Sequence, residues 1–209
     1  ITGITLDLGV LNASSQATAS GISGADLLKG IENITGSNYA DILTGNSGAN
    51  ILTGGAGVDT LTGKLGNDTY VVALTATGAL EDTISETSTL VTEIDTLKLT
   101  GTSSNTAAVT RSLSGTLANI EHLDISATGS SKLNLTGNTA ANILTGNAAA
   151  NVLSGDLGND SLSGGLGNDN LTGGAGIDYF LFNTTLGSTN VDTLTDFVHG
   201  SDKIVLDDD

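Results

Sequence analysis

Residues 155–181 read GDLGNDSLS, GGLGNDNLT, GGAGIDYFL: three consecutive nonamers with glycine first and fourth, aspartate sixth and a large apolar residue eighth. Extending the frame upstream adds GNTAANILT and GNAAANVLS, so this array runs from Gly137 to Leu181. An earlier array, GSNYADILT, GNSGANILT, GGAGVDTLT, GKLGNDTYV, runs from Gly36 to Val71. The eighth positions are Leu43, Leu52, Leu61 and Tyr70, then Leu144, Leu153, Leu162, Leu171 and Phe180.

A helix cannot satisfy this pattern. The apolar residues recur every nine positions without a 3.6-residue component, and each interior glycine would cost a helix roughly 1 kcal/mol. One large apolar side chain flanked by Thr, Ser, Ile or Val predicts a three-residue strand with a single inward side chain. The first six positions form a turn, in which glycines at one, two and four permit backbone paths a β-carbon would forbid. Two nonamers then complete one turn of a coil, successive strands alternate between two parallel sheets, and the eighth-position residues meet between them. No nonamer buries its leucine alone, so stability must come from stacking. The expected fold is all-β, a right-handed parallel β-roll or β-helix solenoid with two nonapeptide arrays.

The arrays start 101 residues apart, which is not a multiple of nine, so residues 72–136 break the phase. That interval still alternates apolar and polar residues in DTLKLT (95–100), EHLDIS (121–126) and KLNLT (132–136), each a strand signal. LKGIENI (28–34) and LANIEHL (117–123) share a Leu-x-x-Ile-Glu-x-apolar pattern ahead of each array. The expected organisation is a tandem duplication: irregular rungs 1–35, first array 36–71, irregular rungs 72–136, second array 137–181 and a capping segment 182–209.

Composition narrows function. The chain has 23 acidic and 6 basic residues among 209, a formal charge of -17, which excludes phosphate neutralisation and leaves no nucleic-acid role. Clustered basic residues for docking on anionic lipid are missing, as is any apolar run fit for membrane insertion. Without cysteine there are neither disulfides nor thiolate metal sites. The sequence opens at Ile1 without methionine and is read as part of a larger polypeptide.

The sixth-position acids carry the functional argument. Loops two nonamers apart lie above one another at the strand spacing of about 4.8 Å. Carboxylates stacked that closely repel until a hard cation lies between them. Carboxylate and carbonyl oxygens without histidine or thiol suit calcium, whereas magnesium demands stricter octahedral geometry and keeps its waters.

Residues 54–62, 164–172 and 173–181 meet every fixed position of Gly-Gly-x-Gly-x-Asp-x-apolar-x, while 63–71 and 155–163 miss only the second glycine, replaced by Lys64 and Asp156. In this the chain resembles the RTX, haemolysin-type, calcium-binding repeat family. The closing DTLTDFVHGSDKIVL (192–206) is similar to the segment that caps such arrays. The resemblance implies several calcium ions, roughly five or six, held by side-chain and loop carbonyl oxygens of stacked turns. Carried onto this sequence, it nominates Asp41, Asp59, Asp68, Asp160, Asp169 and Asp178, with carbonyls of Gly54, Gly57, Gly158, Gly164, Gly167 and Gly173. The implied pairs are Asp41 with Asp59, Asp160 with Asp178, Asn50 with Asp68, Asn151 with Asp169, and Asn142 with Asp160. Asn50, Asn142 and Asn151 depart from the consensus and read either as carbonyl ligands or as turn residues in an amide ladder. Asp192, Asp196 and Asp202 are end-of-array candidates, and Asp207–Asp209 reads as a solvated tail.

Catalysis finds no support in the sequence. His122 and His199 lack acidic partners at zinc-site spacing, and no HExxH, GxSxG or Walker sequence occurs. The pairs Glu81–Asp82 and Glu93/Asp95 have no neighbouring aromatic residue to stack a sugar. The expected function is a non-catalytic, calcium-folded module of a large secreted or surface-exposed bacterial protein, an adhesin, toxin or surface protein exported by type I secretion. The alternative is an accessory region of a secreted protease, lipase or polysaccharide epimerase whose catalytic domain lies elsewhere. Calcium is the expected partner; a third reading has the irregular rungs 72–136 bind a glycan, and the sequence identifies no cell-surface partner.

Overall fold

Short strands form where a nonamer sets its apolar eighth residue between two residues of high β-propensity. The computed structural model describes residues 3–9, 17–20, 27–28, 30–88, 90, 92–185 and 187–207. Parts of the first irregular segment (10–16 and 21–26) and the last two tail aspartates lie outside the described residues. The chain divides into two units, 1–73 with 80–98, and 74–79 with 99–209.

In the first unit, Thr5–Asp7, Ile42–Thr44, Thr60–Thr62 and Thr83–Ser85 pair in parallel, aligning Leu6, Leu43, Leu61 and Ile84. Asn33–Thr35, Ile51–Thr53 and Thr69–Ala73 form a second parallel stack that aligns Ile34, Leu52 and Tyr70. Strands of the arrays thus pair across 18 residues, two nonamers, as the period predicts. The amino-terminal rungs depart from this rule: Thr5–Asp7 also pairs antiparallel with Ala17–Ser20, which pairs antiparallel with Leu27–Leu28.

The second unit repeats the plan. His122–Ala127, Ile143–Thr145, Ser161–Ser163, Tyr179–Phe182 and Lys203–Leu206 pair in parallel, aligning Leu123, Leu144, Leu162, Phe180 and Ile204. Val109–Ser112, Leu133–Thr136, Val152–Leu157, Asn170–Ala175 and Thr193–Leu194 form the other stack, through Leu135, Leu153, Leu171 and Leu194. The three strands expected between the arrays occur at Thr96–Thr100, His122–Ala127 and Leu133–Thr136. Every eighth-position residue from Leu43 to Phe180 is fully buried. After the last nonamer, the Phe197 ring sits 6.1 Å from that of Phe180.

The loop glycines have two different jobs. In the loops that match the full repeat pattern, the second- and fourth-position residues adopt left-handed backbone, as at Gly165 (φ +92) and Gly167 (φ +117). The first-position glycine is there for close approach instead: a β-carbon at Gly155 would collide with Asp160 Oδ2 and the Gly173 carbonyl. Lys64 (φ 86) and Asp156 (φ 82) hold the left-handed conformation without being glycine. Left-handed backbone costs such residues about 1–2 kcal/mol, so Asp156→Gly is expected to stabilise the calcium-loaded fold by about 1 kcal/mol. Gly167→Ala is expected to destabilise it by at least about 1–2 kcal/mol, because strain adds to a contact of 2.8 Å with the Ala149 carbonyl. Denaturant unfolding in calcium checks both signs.

Candidate metal centre

Each sixth-position side chain follows a tight turn and immediately precedes a strand, so parallel pairing sets one above the next. The backbone N–H at position six of one rung donates to Oδ1 of the sixth residue two rungs on. Asp41 N–H reaches Asp59 at 2.8 Å, Asn50 reaches Asp68 at 2.7 Å, and Asn142 reaches Asp160 at 2.8 Å. Asn151 reaches Asp169 at 2.7 Å and Asp160 reaches Asp178 at 2.9 Å. All five pairs implied by the sequence are therefore stacked and joined by a hydrogen bond.

The same ladder runs beyond the strict nonamers. Asp59 donates to Asp82 Oδ1 at 3.0 Å, Asp68 to Asp95 at 2.7 Å, Asp169 to Asp192 at 3.0 Å and Asp178 to Asp202 at 3.2 Å. Asp192 and Asp202 thus occupy sixth-position places. Asp196 does not: its carboxylate accepts the Gly173 and Gly174 N–H groups at 2.9 and 2.8 Å and caps that loop. Sequence reasoning missed Asp82 and Asp95 as ladder members because longer loops place them 23 and 27 residues from their partners, outside the 18-residue frame.

One oxygen of each sixth-position acid is committed to the ladder; the other decides the chemistry. Asp59, Asp68, Asp82, Asp160 and Asp169 each bury Oδ2 with no hydrogen-bond partner. Leaving a buried charged acceptor unsatisfied is costly, so these oxygens call for a cation. Burial raises the Asp68 carboxyl pKa to about 7, helped by the Glu86 and Glu93 charges. It also raises Asp82, Asp160 and Asp169 to about 6, with neighbouring acids adding to the effect. Asp59 and Asp178 shift upward for the same reason. Asp41 differs: its carboxylate accepts the Ser37 hydroxyl at 3.0 Å and the Ser37 N–H at 2.5 Å, and also the Ile4 N–H.

The nominated glycines line the same edge. The carbonyls of Gly54, Gly164 and Gly173 face Gly36, Gly146 and Gly155 of the stacked rung, and that of Gly158 faces Gly176. Gly57, Gly158 and Gly167 hold fourth-position left-handed turns. Buried carboxylate oxygens converging with carbonyls, free of nitrogen and sulfur, fit calcium.

The asparagine rungs are built differently. Asn50 Oδ1 accepts the Asn46 N–H at 2.8 Å, and its amide donates to the Glu32 carbonyl at 3.2 Å. Asn142 and Asn151 repeat this with Asn138 and Asn147 N–H groups at 2.7 and 3.0 Å, and with the Glu121 and Leu133 carbonyls. At position two, Asn46, Asn138 and Asn147 each accept the N–H two residues on, an Asx turn in place of a left-handed glycine. These loops close with their own amides.

The family model of the RTX calcium-binding nonapeptide repeat (4 copies) matches residues 35–70, 134–162 and 145–180. The matches fall on the two arrays and leave 1–34, 71–133 and 181–209 unmatched. No curated protein matches the chain.

Proposed function

From the premise that this chain carries RTX calcium-binding nonapeptide repeats, we propose that it is a non-catalytic structural module whose folding is driven by calcium. The observation that carries this reading is the set of buried, unpartnered aspartate oxygens stacked along the loop edges. Asp59, Asp160, Asp169 and Asp178 would hold the ions with carbonyls of the stacked glycines, and Asp82, Asp192 and Asp202 would extend the set. Calcium would supply charge neutralisation between rungs, so its binding free energy becomes folding free energy. Such a module stays expanded where calcium is scarce and folds at roughly millimolar calcium. That behaviour suits a bacterial protein exported unfolded by type I secretion and folded outside the cell, as part of an adhesin, toxin or surface protein.

The test is ion selectivity. Circular dichroism should move from disordered to β as calcium rises into the millimolar range, with magnesium a poor substitute; equal folding in both ions would leave only charge screening. Within the sites, Asp160→Ala with Asp178→Ala is expected to raise the calcium midpoint about tenfold or more. Asn142→Ala with Asn151→Ala should shift that midpoint less, since those amides close loops; the reverse order would refute the site ranking.

A further inference from the structure

Tyr70 stands where other nonamers of its array place leucine, yet its ring is fully buried. A leucine would fill that place without bringing a hydroxyl into the core, so the phenol needs a reason. Its oxygen accepts the Gly63 N–H at 2.8 Å and donates to Glu86 Oε2 at 2.5 Å. Glu86 Oε1 in turn accepts the Ser88 N–H at 2.7 Å. The glutamate is therefore oriented from both sides. It also occupies a glycine's place: Thr62 pairs with Ser85, and the next residues are Gly63 in one rung and Glu86 in the other.

What Glu86 is aimed at decides its role. One carboxylate oxygen each from Asp68, Glu86 and Asp95 lies within 4.8 Å of the others. All three residues are buried, with exposures of 0, 7 and 2%. Independently, Asp68 Oδ2 is enclosed here without a hydrogen-bond partner. Three carboxylates so placed repel strongly in a desolvated setting unless a multivalent cation joins them. A donor set of carboxylate oxygens without nitrogen or sulfur favours a hard cation over zinc, and the protein-rich carboxylate cage favours calcium over the water-retaining magnesium.

We propose that Asp68, Glu86 and Asp95 form a further calcium site, in which a side-chain carboxylate replaces the loop glycine and Tyr70 is the positioning residue. Glu86 and Asp95 lie outside the residues matched by the nonapeptide model, so the repeat pattern does not supply this site. Its three acidic side chains also suit a trivalent lanthanide, which provides a direct readout.

The full chain has no tryptophan and three tyrosines, so Tyr39→Phe with Tyr179→Phe leaves Tyr70 as the sole sensitiser of terbium. In that protein, tyrosine-excited terbium emission is expected and should be displaced by excess calcium. Adding Glu86→Gln should weaken it by about tenfold or more and remove one bound calcium, while calcium still induces β-structure through the arrays. Asp95→Asn keeps the Tyr70–Glu86 hydrogen bond and is expected to act in the same direction, which covers a Glu86→Gln protein that fails to fold. Unchanged emission and unchanged calcium count in a folded variant would overturn the assignment. So would a Tyr70-only parent without terbium emission. A chain that folds in calcium yet shows either result would lose this site and keep the array reading.

Discussion

Excess chelator at neutral pH is expected to abolish the β-structure of the whole chain, and millimolar calcium to restore it. The driving term is electrostatic. The chain's formal charge is -17, and folding stacks part of that charge inside loops where water cannot screen it. Between Asp160 and Asp178, or Asp59 and Asp82, the chain places one buried acid above another with only a backbone hydrogen bond between them. Hydrophobic burial opposes this weakly, because each rung contributes a single large side chain and the chain has only six Phe and Tyr. A site occupied at 100 times its dissociation constant adds about 2.7 kcal/mol, so two or three sites match the net stability of an ordinary domain. Because rungs are stable only on folded neighbours, the calcium titration should be steeper than independent binding. Circular dichroism with a calcium electrode checks midpoint and steepness together. A native spectrum retained in chelator would refute calcium-driven folding.

How far the sequence discloses this molecule follows from which forces leave a period in it. The nine-residue frame exposes the buried column from Leu43 to Tyr70 and from Leu144 to Phe180, because stacking needs one apolar residue per rung. It exposes the stacked sixth-position pairs for the same reason. Where loops lengthen, the frame fails though the geometry persists: Asp82, Asp95 and Glu86 belong to the edge but sit off the count. The strand Val109–Ser112 was likewise missed, since VTRS alternates poorly and is ordered by its parallel partner Leu133–Thr136. The two kinds of rung were legible only as composition. That Asn50, Asn142 and Asn151 close their own loops, whereas Asp160 and Asp169 hold a bare oxygen inward, depends on hydrogen bonds that residue type does not specify. Tyr70 looked like a larger leucine, and its hydroxyl acquires meaning only once Glu86 lies beside it.

The response to acid is expected to have opposite signs with and without calcium. Burial, followed by neighbouring charges, raises Asp68 to about 7 and Asp82, Asp160 and Asp169 to about 6 in the fold, against 3.8 for an ordinary aspartate. Between these values the folded chain binds more protons than the unfolded one, so metal-free stability falls as pH rises from about 4 to about 7 and levels off above. Chelated protein should therefore regain β-structure as pH drops from 8 to about 5, when protons take over the role of the ion. With calcium present the same carboxyls must release their protons to bind it. The calcium midpoint should rise on acidification below about pH 7, by up to about tenfold per pH unit for each proton displaced. Melting curves at pH 5 and 8, each in chelator and in calcium, test the crossing directly. If acid destabilises the chelated chain as much as the loaded one, the buried aspartates are already neutralised within the fold, and the electrostatic basis of the calcium requirement fails with them.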